Sequence, residues 1–266
     1  MMKLRNLIAF LALLLCVKAY AACPESQWKG KRVVFLGDSI TDARHVGCTK
    51  NYWGFLEDYL GIIPCVYGIN GHQMDQIPGQ MDKAKAELGD GFDAIFIFCG
   101  TNDFNDSVPV GEWFSEKEDS VVVDGPQSVI RKHREHIMDN GTFKGRMNIV
   151  LSKLKNEYPD KQIILLTPIH RGYAYFGPGN IQPDENWANA VGFYIDDYVN
   201  AVKEAGNVWA VPVIDINSLS GLYPLSEAHL KFFSKKDTDR LHPNTEGHRR
   251  LAQTIAAQLL SFPVFD

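Results

Sequence analysis

No stretch of this chain is long enough to cross a bilayer as a helix. The longest unbroken apolar run, Leu7 to Val17, is eleven residues, whereas a membrane helix needs roughly 20. Excess positive charge is also missing. Lys and Arg number 27 against 32 Asp and Glu, a formal charge of −5, and no basic stripe interleaves with aromatics, which argues against a nucleic-acid partner. There is no internal repeat and no low-complexity tract, which excludes solenoid and fibrous architectures. His-Glu-x-x-His is absent, and so is Gly-x-Ser-x-Gly, so neither a zincin nor a standard nucleophile-elbow hydrolase is expected.

What is present begins with an address. Lys3 and Arg5 precede the apolar run, and Ala19-Tyr20-Ala21 is a small-x-small cleavage pattern. Residues 1–22 therefore read as a secretory signal peptide, and 23–266 as a single exported domain, secreted or periplasmic. Cleavage removes Lys3, Arg5 and Lys18 and no acid, which makes the mature chain more acidic. Tyr20-Ala21-Ala22-Cys23 also resembles a bacterial lipoprotein box, the alternative in which Cys23 is lipidated and the protein tethered to the envelope. Of the five cysteines, Cys16 leaves with the signal. Export permits disulfides, and Cys48 with Cys65, flanking one expected helix, is the pair to test; Cys23 adds a third candidate. Cys99, inside an apolar run, reads as a buried free thiol.

Past the signal, strand-like runs alternate with helical ones. Strands are expected at Arg32–Leu36, Ile62–Tyr67, Ala94–Cys99, Gln162–Thr167 and Val208–Ile214. Helices are expected near Tyr52–Leu60, Gly79–Leu88, Arg146–Tyr158, Asn186–Ala205 and Thr245–Leu260, the last with Leu251, Ile255 and Leu259 on one face. The alternation implies right-handed βαβ units, hence an α/β fold: a three-layer α/β/α sandwich around a flavodoxin-like, five-stranded parallel sheet. Two segments break the rhythm, an insertion at about 103–145 and Gly172 to Glu185. Both leave strand ends on the presumed active edge and are candidate pocket walls. His133 and His136, three apart, are placed on a solvated helix face with no further ligand at zinc spacing.

The chemistry-bearing residues sit at the junctions. Gly37-Asp38-Ser39-Ile40-Thr41-Asp42 follows the first strand, so the Ser39 hydroxyl lies at a carboxyl edge, where open α/β sheets bind ligands. Asp38 reads as a turn residue. Gly68-Ile69-Asn70-Gly71-His72 follows the second strand and can offer the Gly71 main-chain N–H. Gly100-Thr101-Asn102-Asp103 follows the third and places the Asn102 amide at the same edge. Asp239-Arg240-Leu241-His242-Pro243 precedes the last helix; in a turn the Asp239 carboxylate can accept from one ring nitrogen of His242, leaving the other to act as a base toward Ser39.

Together these four blocks resemble the SGNH, or GDSL, hydrolase family, from the first strand to the last helix. The resemblance implies hydrolysis of esters or thioesters through an acyl-serine, without metal or cofactor. Ser39, Asp239 and His242 would be catalytic, and the donors of Ser39, Gly71 and Asn102 would form the oxyanion hole. The second block departs from the common pattern, with Asn70 where Ser is usual and His72 directly after the glycine. Residues expected to reach substrate are His72, Asp103, His170 and Tyr173; Trp113, Tyr175, Phe176 and Trp187 are further candidates for a sugar-stacking or acyl-binding surface. Export, an acidic surface and aromatic loops favour a small acyl group, acetyl, on a carbohydrate. The alternatives are a lipase or thioesterase for longer chains, and a carbohydrate-binding or adhesive protein that kept the fold without the activity.

Overall fold

The computed structural model describes residues 26–125 and 127–263. The expected signal sequence, its expected cleavage site and Cys23 lie outside the described residues. Five parallel strands form the central sheet: β1 (Arg32–Gly37), β2 (Ile63–Val66), β3 (Ala94–Phe98), β6 (Gln162–Leu166) and β9 (Val213–Ile214), in the order β2-β1-β3-β6-β9. Counting only these five, the order is 2-1-3-4-5, the flavodoxin-like winding. β1 is the seam, pairing Val33 with Pro64 of β2 and with Ala94 of β3.

Alternation along each strand divides the core. Val34, Leu36, Ile95, Ile97, Ile163 and Leu165 face one side, with helices α2 (Ile77–Leu88), α4 (Phe143–Glu157) and α5 (Ile195–Trp209). Val33, Phe35, Phe96, Phe98, Ile164 and Leu166 face the other, with α1 (Tyr52–Leu60) and α7 (Thr245–Leu259). A sheet buried on both faces reads as the near-continuous apolar runs seen in its sequence. A short helix α3 (Thr101–Asn105) follows β3, and α6 (Ile216–Leu219) follows β9.

Several details differ from expectation. The fifth strand is two residues long, because Val208 and Trp209 extend α5, which ends where Ala210 turns left-handed (φ 51°). That helix begins at Ile195, and residues 186–194 are loop. Cys48 and Cys65 are separate thiols: Cys48 Sγ donates to Asn51 Oδ1 at 3.0 Å, and Cys65 Sγ to the Ile63 carbonyl. The nine-residue α1 that they flank rises about 13 Å, whereas bridged Cα atoms lie within about 7 Å. Cys99 is buried and free.

The insertion carries structure of its own. Phe114–Val122 (β4) and Ser128–His136 (β5) form a two-stranded antiparallel hairpin in continuous register, so His133 and His136 lie on a strand. His136 stacks 4.5 Å from Trp209, and His133 faces Asp119 and Glu135. Trp113 is core, its indole donating to Glu204 at 2.8 Å. A further four-stranded antiparallel sheet pairs β10 (Phe233–Lys235), β11 (Asp239–Pro243), β7 (Ala174–Gly177) and β8 (Asn180–Gln182) in that order.

Candidate active site

The site is assembled where β1, β2 and β3 end and the small antiparallel sheet meets them. After Gly37 the chain coils tightly. Asp38 Oδ1 accepts the Ile40 N–H at 3.0 Å, and the Asp38 carbonyl accepts those of Thr41 and Asp42. Gly37 is required by close approach, since a Cβ there would lie 2.3 Å from the Phe98 carbonyl oxygen. Gln80 of α2 clasps this residue from both sides, accepting from the Gly37 N–H at 2.9 Å and donating to its carbonyl at 2.8 Å. Ser39 is thereby held, 4% exposed, over the sheet edge.

β11 brings His242. His242 Nε2 lies 2.8 Å from Ser39 Oγ, and His242 Nδ1 lies 3.0 Å and 3.1 Å from the two Asp239 oxygens. A carboxylate only accepts, so the proton belongs on Nδ1 and Nε2 is left to accept from the serine hydroxyl. Asp239 Oδ1 also accepts the His242 N–H at 3.0 Å, an Asx-type turn that makes residues three apart meet. Burial alone would raise the Asp239 carboxyl. The His242 ring bond, its charge and the main-chain N–H outweigh that and hold it below the ordinary carboxylate value. Asp38, by contrast, is raised to about 7, chiefly by burial.

Three residues with donor groups line one cavity. The main-chain N–H groups of Ser39 and Gly71 have no protein acceptor among the described residues. Gly71 adopts φ +84°, the left-handed region open to glycine. Its turn is pinned from the first block: Asp42 Oδ2 accepts the Asn70 N–H at 2.8 Å. Burial would raise Asp42, and its bonds to Arg44 and Asn70 hold it low. Asn102 Nδ2 donates to the His72 carbonyl at 2.9 Å, which leaves its second hydrogen for a ligand.

A cavity of about 380 Å³ opens over these groups. Its walls are Ser39, Val46, Asn70, Gly71, Asn102, Asn105, Asp106, Phe176, Asn180, Gln182, Leu241 and His242. Phe176, Asn180 and Gln182 belong to the β7–β8 hairpin, and the Phe176 ring stands 5.5 Å from that of His242. The four residues expected to touch substrate do not line it. Asp103 is fully buried and ion-paired with Arg146 at 2.8 Å, accepting also from the Met74 N–H. His72 is turned to Gln80, 3.0 Å from Nδ1. His170 is turned to Glu185 at 2.8 Å, a hydrogen bond that raises its pKa. Tyr173 carries main-chain pairing to Arg240 and keeps its ring outside. Asp42 lies within the first block, whereas the supporting residues Gln80 and Arg146 and the wall residues Asn105, Asp106, Asn180 and Gln182 fall outside the four blocks, which hides them from motif reading.

An α/β/α sandwich of flavodoxin-like order, with a hydrogen-bonded Ser–His–Asp chain at the strands' carboxyl edge, has the architecture of an SGNH hydrolase. The chain belongs to the GDSL-like lipase/acylhydrolase family, whose model matches residues 35–250, and thus to a family of ester-hydrolysing enzymes. Solved structures share the fold. A protein from Lactobacillus plantarum is 23% identical with a TM-score of 0.69, the match covering 89% of this chain and 99% of that one. A "possible lipase" from Chitinophaga pinensis is 21% identical with a TM-score of 0.62, covering 86% and 97%. An acetyl xylan esterase from Geobacillus stearothermophilus is 18% identical with a TM-score of 0.53, covering 90% and 98%. No curated protein sequence matches the chain.

Proposed function

We propose that this protein is an exported serine esterase that removes small acyl groups, acetyl above all, from carbohydrate. The observation that carries the reading is the 2.8 Å contact between Ser39 Oγ and His242 Nε2 inside a small cavity with five amide side chains in its wall. His242 takes the Ser39 proton as Oγ bonds to the ester carbonyl carbon. Negative charge gathers on the carbonyl oxygen, where the Ser39 and Gly71 N–H groups and the Asn102 amide receive it. As the intermediate collapses, the carbon–alkoxy bond breaks and His242 returns its proton to the departing alcohol. Water then attacks the acyl-serine, losing a proton to His242, which restores it to Ser39 Oγ as the acid leaves. Asp239 holds the ring in the tautomer both halves need.

Support for the small acyl group and sugar alcohol comes from the walls. Asn70, Asn102, Asn105, Asn180 and Gln182 suit hydroxyl groups, while Val46, Phe176 and Leu241 supply a short apolar surface. The Geobacillus neighbour is named an acetyl xylan esterase, which agrees with this choice. Export is supported by the Lys3/Arg5, Leu7–Val17, Ala19-Tyr20-Ala21 pattern, and the anchored alternative rests on Cys23. The test is a series of p-nitrophenyl esters from acetate to palmitate, with acetylated xylan alongside, on mature wild type and Ser39→Ala. Turnover confined to short esters, acetate released from the polymer, and loss of both in Ser39→Ala are expected. A preference for chains of eight carbons or more overturns the acetyl assignment in favour of a lipase. Wild-type activity in Ser39→Ala overturns the nucleophile.

A further inference from the structure

Beside the catalytic cavity lies a second one of about 320 Å³, and Asn105 and Asn180 line both, so the two are neighbours that share a wall. Its lining holds one charged residue, Arg171. Arg171 is 1% exposed and makes no ion pair among the described residues. Its guanidinium lies 4.9 Å from the Phe104 ring centre, donates from Nη2 to Gln182 Oε1 at 2.7 Å and from Nη1 to the Thr101 carbonyl at 3.3 Å, and leaves Nε without an acceptor. Glu185, whose charge reaches it, gives its oxygens instead to the His170 ring and the Arg171 main-chain N–H. A buried cation ordinarily sits beside a carboxylate, since removing an ion from water is costly unless it is paired. No Asp or Glu lines this cavity. Asp106 stands on the catalytic side only, where Asn105 and Gln73 donate to it.

We infer that the second cavity receives the alcohol side of the ester and that its ligand carries a carboxylate, an acetylated acidic sugar, with Arg171 as the counter-ion. The inference rests on the esterase reading for the position of the scissile bond. A planar guanidinium matches a carboxylate edge, and one cation balances a monoanion, whereas a phosphate dianion would leave a second charge buried. Trp187, 66% exposed at the same cavity, offers a face on which a sugar ring can stack. The chain Arg171–Gln182–Asn180 joins this cation to the catalytic wall, as Gln182 Nε2 donates to Asn180 Oδ1 at 3.0 Å.

The experiment compares two esters differing only at C6, methyl 3-O-acetyl-galactosiduronic acid and methyl 3-O-acetyl-galactoside. Wild type is expected to favour the acid by about tenfold or more in kcat/KM, the worth of a charge-assisted bond. The ratio is expected to fall to near one in Arg171→Gln and to an intermediate value in Arg171→Lys. A wild-type ratio near one overturns the proposal. So does an equal loss on both esters in Arg171→Gln, which would make Arg171 only a strut between Thr101 and Gln182. If wild type cleaves no ester, including p-nitrophenyl acetate, it is the esterase reading that fails. The anion site is then judged by calorimetry on wild type: galacturonate should bind and galactose should not, and equal or absent binding of both overturns it.

Discussion

Two hairpins leave the central sheet, and they behave oppositely. The β7–β8 hairpin, Ala174–Gln182, continues into the strand that carries Asp239 and His242, through the Asp239–Ala174 pairing and the bond from the Arg240 N–H to the Tyr173 carbonyl. Its side chains form a wall of the catalytic cavity. The β4–β5 hairpin is longer, yet all but Phe114 of its strand residues are exposed. Exposed cross-strand ion pairs join Lys117 to Glu135 and Lys132 to Glu116, and pairs held in open solvent contribute little. Only its base is docked: the Phe114 and His136 rings lie 4.7 Å apart, His136 stacks on Trp209, and Asn148 holds the carbonyls of Trp113 and Ile137. Being inserted after a strand's carboxyl end makes a segment available to the site. Pairing with the strand that carries Asp239 and His242 makes it part of the candidate site.

That contrast can be broken in graded steps. The largest effect is expected at the shared endpoint: Ser39→Ala should lower kcat at least about a thousandfold on p-nitrophenyl acetate without a change in thermal midpoint. Asn102→Ala should cost roughly a hundred- to a thousandfold in kcat with little change in KM, because its free amide hydrogen acts on charge that develops in the transition state. On the β7–β8 wall, Phe176→Ala should lower kcat/KM about tenfold; an unchanged value would show that the wall only encloses. A pH effect follows from His248, buried under the site with Nδ1 accepting the Tyr52 N–H at 3.2 Å. Burial, and then the charges of His242 and His45, lower it from the usual 6.5 to about 3. Folded His248 therefore stays neutral where the unfolded residue gains a proton. Its contribution is complete above pH 6.5 and is lost as pH falls toward 3, so urea unfolding of His248→Gln should show a shallower acid limb than wild type. Smallest of all, replacing residues 115–135 by a short glycine linker should leave kcat/KM on p-nitrophenyl acetate within about twofold; a larger drop would join the two hairpins functionally.

The sheet was legible because parallel strands buried on both faces need apolar runs at each position, as Ala94–Phe98 and Gln162–Leu166 show. The projecting hairpin was not read from the sequence, although Val121-Val122-Val123-Asp124-Gly125, β-branched residues closing on a turn pair, carries its signal. The helical spacing of His133 and His136 obscured it. The fifth strand was over-extended because Val208 and Trp209 suit a strand as well as the apolar face of α5, and length alone does not arbitrate between them.

By itself, the sequence determined the sheet's winding and the four blocks carrying Ser39, Gly71, Asn102 and Asp239 with His242, because each block is a local turn whose glycines, Asx residues and flanking strands set its own conformation. Only the tertiary structure decided what surrounds them: that Asp103 is bound to Arg146, that His72 and His170 turn to Gln80 and Glu185, and that Arg171 is buried beside a second cavity with no carboxylate bonded to its guanidinium. Those outcomes depend on partners 8 to 70 residues away in sequence. Whether a polar side chain spends its hydrogen bonds on the protein or keeps them for a ligand is settled only when distant elements pack.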